Sequence, residues 1–202
     1  MKTTGVLLAG GAARRFGGLP KGLALVKEQR IADRVLVALA GASERQIVVS
    51  NDPEADDWFP KLRVVADEAP GLGPLAGIET ALVAAKGTPI VIVAWDMPFV
   101  TAPLLRGMRA LGELGADAVV PVHGDPSVTE ALCAWYAPSA LVVARELLAT
   151  GERRAAALAE ALPNVVRIPE RVLVEHGALS RLFMSVDSPE QLAEIGGVMP
   201  RL

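Results

Sequence analysis

An apolar run, Val6-Leu7-Leu8-Ala9, opens into a loop rich in glycine and cation: Gly10-Gly11-Ala12-Ala13-Arg14-Arg15-Phe16-Gly17-Gly18-Leu19-Pro20-Lys21. Glycines let backbone N–H groups reach a ligand with no side chain in the way. Successive N–H groups in such a loop form an anion-binding concavity. The N–H groups of Leu8, Ala9, Gly10 and Gly11 would hold phosphates there. Arg15, as a planar fork, and Lys21, as a point charge, could neutralise them. A glycine-rich turn with surface arginines is the plain alternative, because glycine clusters mark any loop. The run matches neither G-x-G-x-x-G nor G-x-x-x-x-G-K-[ST], the usual dinucleotide and P-loop patterns.

Two carboxylates could complete a phosphate site. Asp96 ends Ile90-Val91-Ile92-Val93-Ala94-Trp95, the most β-branched stretch of the chain. Mg2+ on a nucleotide takes one or two carboxylates, phosphate oxygens and water. Asp96, also a catalytic candidate, and Asp187 are the expected metal carboxylates. The plain alternatives are a turn cap before Met97-Pro98 and a neighbour of the helix cap at Ser188-Pro189. Between Gly71 and Gly77, Gly73, Pro74 and Leu75 could line a base and sugar, besides forming a turn and a helix start. Cys133 sits in an apolar run and reads as a buried structural thiol. His123 and His176 read as loop residues, and Trp58-Phe59 as a packing patch.

Strands and helices must bring these residues together. Unbroken apolar runs at Gly5–Ala9, Gln46–Ser50, Leu62–Ala66, Pro89–Trp95, Ala116–Pro121 and Leu132–Tyr136 read as strands buried on both faces. Helical spacing marks Ile31–Ala40, Leu75–Ala85, Pro103–Leu114 and Ser139–Ala149, with Pro74 and Pro103 at helix starts and Gly41 and Gly115 at helix ends. Further on, Glu152–Leu162 has a helical pattern, and Val165–Ile168 and Leu182–Val186 read as short strands. Ser188-Pro189-Glu190-Gln191 is a helix start with capping-box chemistry. The alternation predicts an α/β chain with a mostly parallel twisted sheet between two helical layers. In such sheets ligands bind outside the carboxyl ends of the strands, where the glycine loop and Asp96 fall.

The 202 residues are 51% hydrophobic, with 20 Lys+Arg against 23 Asp+Glu. That length and composition suit one domain with a full core, without disulfide or structural zinc. A net charge of −3 argues against a nucleic-acid binder, which needs a basic face. No uncharged stretch is long enough to span a membrane, and the N-terminus lacks signal-peptide form. A soluble cytoplasmic protein is expected.

Four segments together resemble the molybdenum cofactor guanylyltransferases of the MobA type, within the nucleotidyltransferase superfamily. They are Leu8-Ala9-Gly10-Gly11 with Arg15, Gly17-Gly18 and Lys21-Gly22-Leu23; Val64-Val65-Ala66-Asp67 with Gly73-Pro74-Leu75-Ala76-Gly77; Ile92–Val100 around Asp96; and Phe183–Leu192 around Asp187. They occur in the family's order over nearly the whole chain. The resemblance implies a three-layer Rossmann-like nucleotidyltransferase fold as a single domain over residues 1–202. Residues 1–100 would bind the nucleotide and 101–202 the acceptor. It further implies transfer of GMP from GTP to molybdopterin with release of pyrophosphate, with Arg15 and Lys21 as catalytic cations that stabilise charge on the leaving pyrophosphate, Asp96 as the catalytic carboxylate that holds the cofactor Mg2+, and possible association with other molybdenum cofactor proteins. Asp67 resembles the family's guanosine-contacting aspartate, and a carboxylate can accept from both the N1–H and the exocyclic amine of guanine. Either Ser50 or Asn51 takes the place of a nucleotide-contacting asparagine. Arg153 and Arg154 match a basic pair that would attract a pterin phosphate.

The chain departs from the pattern at Pro20, where an acidic residue is usual. It departs again at His123–Glu130, an imperfect match to the pterin-facing segment, and at Ser185 and Asp187, where asparagines are common. Two other readings remain open at this point. One is a related nucleotidyltransferase that uses CTP or another acceptor phosphate. The other is a non-catalytic GTP-binding accessory protein of molybdoenzymes.

Overall fold

In the computed structural model, which describes residues 2–10, 20–67, 70–124 and 128–199, the ends of four strands set the geometry. β1 (Thr4–Leu8) pairs in parallel with β4 (Arg45–Val49) on one side and β6 (Ile90–Ala94) on the other. β5 (Arg63–Val65) continues the row beyond β4. The register puts Leu8 level with Val49 and Ala94, and Val49 level with Val65. Parallel strands that stop in one line must release their next residues at one edge. Ala9-Gly10, Ser50-Asn51, Ala66-Asp67 and Trp95-Asp96 therefore emerge side by side.

The seven-stranded sheet has the order β5-β4-β1-β6-β8-β7-β9, completed by β7 (Ala118–Pro121), β8 (Cys133–Tyr136) and β9 (Val165–Ile168). Only β8 runs antiparallel to its neighbours, so the sheet is mostly parallel. The unbroken apolar reading of the strands follows from burial on both faces. Along β6, Val91 and Val93 face the layer of α1 (Ile31–Ala40) and α4 (Ala102–Gly112), with Leu39, Leu104 and Met108. Ile90 and Ile92 face α3 (Pro74–Ala84), α5 (Ala140–Ala149) and α6 (Ala156–Ala161), with Ile78, Ala144 and Leu158. Side chains alternate at period two, so a central strand needs apolar residues at every position. The result is the expected three-layer fold.

The short helices α2 (Ala55–Trp58) and α7 (Glu170–Leu173) follow β4 and β9, and a second sheet of two-residue strands joins β2 (Leu25–Val26), β3 (Gln29–Arg30) and β10 (Gly197–Val198). Ala24, Val26, Ile31, Val186 and Leu192 form its own apolar cluster. This pins the C-terminal segment beside the chain that leaves Lys21. α9 (Pro189–Glu194) starts as its sequence predicts: Ser188 Oγ accepts the Gln191 N–H at 3.3 Å, and Gln191 Oε1 accepts the Asp187 N–H at 2.7 Å.

Two expectations need correction. Leu182–Val186 is not a strand: α8 (Leu179–Leu182) ends there, and an irregular segment follows in which Phe183 and Val186 are buried. Val186 is buried by the small cluster, not by sheet pairing, and its N–H donates to Asp96 O at 3.0 Å. The helix expected over Glu152–Leu162 begins only at Ala156. Glu152 Oε1 accepts the N–H groups of Arg153 and Arg154 at 2.7 and 2.9 Å, and that local turn competes with helix. Among the described residues no helix is long and apolar enough to cross a membrane.

Candidate functional site

The strand ends border a cleft of about 450 Å³. Leu8 and Gly10 line it after β1, Asn51 after β4, Asp67 after β5, and Asp96 after β6. Gly71, Gly73 and Pro74 form the opposite wall, and Lys21 closes one side. Gly73 has φ +80°, and an added Cβ there would lie 3.0 Å from Arg153 O. Only glycine fits that position without strain. The wall is held from behind. Arg153 Nη1 donates to Gly71 O at 3.1 Å, and Arg153 O accepts the Leu75 N–H at 3.2 Å.

Lys21 follows Pro20 and opens a 3-10 turn over Lys21–Leu23. Its Nζ donates to Asp187 Oδ1 at 2.7 Å and forms an ion pair with Asp96 Oδ2. Asp96 is 7% exposed, and its Oδ1 is buried without a hydrogen-bond partner. A buried carboxylate oxygen with no donor is costly unless a further cation or donor reaches it. Asp187 is brought in by the Val186 N–H bond to Asp96 O, so both carboxylates meet one ammonium. Burial alone would lower the Lys21 pKa. Charge attraction and hydrogen bonds from Asp96 and Asp187 outweigh it, and the net shift is upward. Lys21 is thus a fixed positive charge at neutral pH.

Asn51 and Asp67 form a reciprocal pair. Asn51 Nδ2 donates to Asp67 Oδ2 at 2.8 Å, and the Asp67 N–H donates to Asn51 Oδ1 at 2.7 Å. Asp67 Oδ1 is left without a partner. Ser50 and Asn51 are separated by this geometry: Ser50 is buried, with its Oγ accepting the Asp52 N–H at 3.2 Å, while Asn51 lines the cleft.

Of the residues expected from sequence, Leu8, Gly10, Lys21, Asn51, Asp67, Gly73, Pro74 and Asp96 share the cleft. Asp187 joins through Lys21. Ala9, Ser50 and Leu75 do not line it. Ala9 is buried, and its N–H belongs to the sheet, donating to Val49 O at 2.8 Å. Leu75 is fully buried in the core beneath α3. Gly11 and Arg15 lie outside the described residues. Arg153 faces the glycine wall, while Arg154 pairs with Glu152 at 2.9 Å on the surface.

Sequence reasoning overlooked Trp95 and Leu132 as cleft residues, and Arg153 as the support of the wall. Trp95 could have been found, since it precedes Asp96 where the chain leaves the sheet. Nothing in the sequence marks the Arg153 contact, which joins residues 82 positions apart. Cys133 is fully buried in β8, and burial pushes its thiol pKa far up. His123 stacks on Phe183 with centroids 4.9 Å apart and bonds Glu130 at 2.7 Å. It borders a separate hollow of about 330 Å³ at the ends of β7 and β9.

Two carboxylates on one ammonium, one of them with an oxygen lacking a hydrogen-bond partner, are a hard-oxygen donor set. They fit a Mg2+ ion that takes its remaining ligands from phosphate and water. Among the described residues, no group of three His, Cys, Asp or Glu side chains gathers to hold a metal by protein alone.

Comparisons with known proteins agree with this layout. A protein of Chloroflexus aggregans named "Probable molybdenum cofactor guanylyltransferase" is 33% identical over 195 residues, covering 95% of this chain and 92% of its own. A protein of the same name from Deinococcus radiodurans is 32% identical, covering 96% and 94%. The crystal structure of molybdopterin-guanine dinucleotide biosynthesis protein A from Archaeoglobus fulgidus superposes with a TM-score of 0.78 at 27% identity, covering 96% of each chain. Residues 5–166, from β1 through the start of β9, match the family described as the MobA-like NTP transferase domain, and the chain belongs to that family.

Proposed function

We propose that this protein is a molybdenum cofactor guanylyltransferase, which transfers GMP from GTP to the terminal phosphate of molybdopterin and releases pyrophosphate. One observation carries the reading: a single ammonium, Lys21, holds both Asp96 and Asp187 at the mouth of a cleft whose other wall is glycine backbone. The names of the relatives support the choice of nucleotide and acceptor.

In the reaction an oxygen of the acceptor phosphate bonds to the α-phosphorus of GTP. The bond from that phosphorus to the α–β bridging oxygen breaks, and its electron pair leaves with pyrophosphate. The nucleophile is already anionic, so no side chain must remove a proton. Catalysis of this kind rests on positioning and on stabilising charge. Lys21 stabilises negative charge on the departing phosphates. The Asp67 carboxylate accepts hydrogen bonds from guanine, and Asn51 fixes it through Oδ2. The Gly71–Pro74 wall, braced by Arg153, holds backbone against the nucleoside. Asp96 and Asp187 would hold Mg2+, which supplies Lewis-acid polarisation of the phosphates when bound. The half of the chain beyond residue 100 would take the acceptor.

The test is incubation with labelled GTP, Mg2+ and molybdenum-loaded pterin, followed by separation of products. A guanylylated pterin with stoichiometric pyrophosphate is expected. Preference for CTP or another nucleotide would assign the chain to a different branch of the superfamily. GTP binding with no pyrophosphate release would make it an accessory protein.

A further inference from the structure

The Lys21 ammonium can meet Asp96 and Asp187 only if the short turn that carries it is held at one height above the sheet. The turn's own bonds are few: Leu23 N–H to Pro20 O at 3.0 Å and Ala24 N–H to Lys21 O at 3.1 Å. Among the described residues, a ring supports it from below, beside the buried Leu23. Gly22 is buried against Trp95, and a Cβ at position 22 would overlap Cε3 and Cδ2 of the indole. The backbone of the turn therefore lies directly on the indole face.

Trp95 is itself well anchored. It is 4% exposed, its N–H donates to Leu8 O at 3.1 Å, and Trp58 stacks on its ring with centroids 6.0 Å apart. The indole Nε1–H is buried with no partner, so shape and stacking, not a hydrogen bond, hold the ring. Trp95 also precedes Asp96, whose carbonyl fixes Val186 and with it Asp187. One residue thus touches the turn bearing the cation and stands in the strand end bearing the first carboxylate.

We propose that Trp95 is a positioning residue, whose indole face is the seat that sets the height of Lys21 against Asp96 and Asp187. It acts through Lys21 and need not touch the phosphates. Removing the ring leaves the turn without a floor. Adding a methyl group at position 22 lifts the turn off the ring. Both changes move Lys21 Nζ away from two carboxylates that lie within hydrogen-bonding reach only in the present register.

The placement is read without any nucleotide, by acetylating the full-length protein with an N-hydroxysuccinimide ester and following each lysine by mass spectrometry. In the wild type Lys21 should react more slowly than exposed Lys61. Trp95→Ala and Gly22→Ala should each raise the Lys21 rate about tenfold, the effect of weakening one charged hydrogen bond. Trp95→Phe keeps a flat ring and should stay within about twofold of wild type. Should Trp95→Ala fail to fold, as judged by circular dichroism, Gly22→Ala carries the test alone. Wild-type Lys21 reactivity in a folded Gly22→Ala or Trp95→Ala protein would overturn the proposal.

A second readout rests on the proposed guanylyl transfer. With GTP, Trp95→Ala and Gly22→Ala should lower kcat about 10²-fold, the cost of a misplacement near 1 Å. The KM for GTP should stay within about threefold, and Trp95→Phe should recover most of the rate. A loss that fell on KM with kcat intact would mark the ring as a binding contact and overturn the positioning role. A wild type inactive with GTP would end the guanylyl reading, and the seat would still stand or fall on Lys21 acetylation.

Discussion

Asp96 and Lys21 depend on each other. The carboxylate is buried at the end of β6, and an ammonium inside the same cleft offsets its desolvation. Lys21→Met removes that charge and leaves Asp96 facing Asp187. Melting curves should show a loss of about 1.5–3 kcal/mol, the range for a hydrogen bond to a charged group, with the half-exposed Asp187 keeping it at the lower end. The sign of its pH dependence follows from the raised Lys21 pKa. The contribution is fully present below the lysine's ordinary value of 10.5 and is lost as pH rises through the higher folded value. The stability gap between wild type and Lys21→Met should therefore be flat from neutral pH to about 10 and close only above it. Turnover should fall about 10²–10³-fold in Lys21→Met, as when one donor to a transition-state charge is removed, and by a similar factor in Asp96→Asn, which loses a carboxylate proposed to hold Mg2+. More than a tenth of the wild-type rate in both would remove them from the reaction. Asn51 makes a finer prediction. Its amide is committed to Asp67, so Asn51→Ala should raise the KM for GTP about fivefold to tenfold with kcat unchanged. The rise should be smaller for inosine triphosphate, which lacks the exocyclic amine. Equal effects on both nucleotides would place Asp67 away from that amine.

The wall of the cleft is an element-scale device, because a glycine turn and the N-terminus of α3 are held by a residue from the other half of the chain. Gly73 stands at φ +80° and ψ −174°, a conformation that side chains resist, and faces Arg153 O. Gly73→Ala should cost about 1–3 kcal/mol in thermal or urea unfolding. It should also weaken nucleotide binding, because strain can relax only by shifting the wall. A variant with wild-type stability would mean that the turn has another conformation available. The strands and helices of the main sheet are legible in the sequence because each is long enough to carry a period: α1 spans Ile31–Ala40 and β9 spans Val165–Ile168, as their patterns predict. The two-residue strands β2, β3 and β10 carry no period, and the apolar run Leu182–Val186, with Leu182, Phe183 and Val186 buried, looks like a strand although no described neighbour pairs with it. The site divides in the same way. Residues that follow strand ends, such as Asn51, Asp67 and Asp96, are legible from chain order, because parallel strands stop in register. Contacts made across the fold, Arg153 to Gly71 and Val186 to Asp96, depend on packing that no local pattern encodes. The same limit explains Ala9 and Leu75. Both lie inside motif segments, yet one supplies its N–H to the sheet and the other its side chain to the core.

At the scale of the whole molecule, β8 joins the two halves, since its antiparallel pairing to β6 and β7 makes one sheet of the strands on either side. Cys133 opens β8 opposite Val93, fully buried, with a thiol whose pKa is raised by burial in apolar surroundings and secondarily by the charge of Glu130. Its reactivity therefore reports how the sheet opens. A disulfide reagent needs the thiolate, and the native state both hides the sulfur and disfavours its ionisation. If the two halves unfold together, labelling must wait for global opening. The rate should then lie at least about 10³-fold below that of the urea-unfolded chain, given a stability of 5 kcal/mol or more. It should also fall further in step with the rise in melting temperature when GTP and Mg2+ are added, although the proposed site for both lies at the strand ends and the sulfur is buried inside the sheet. Were labelling fast and indifferent to nucleotide while the melt stayed cooperative, β8 would be opening on its own, and the strands on its two sides would be separate stability units despite their shared sheet.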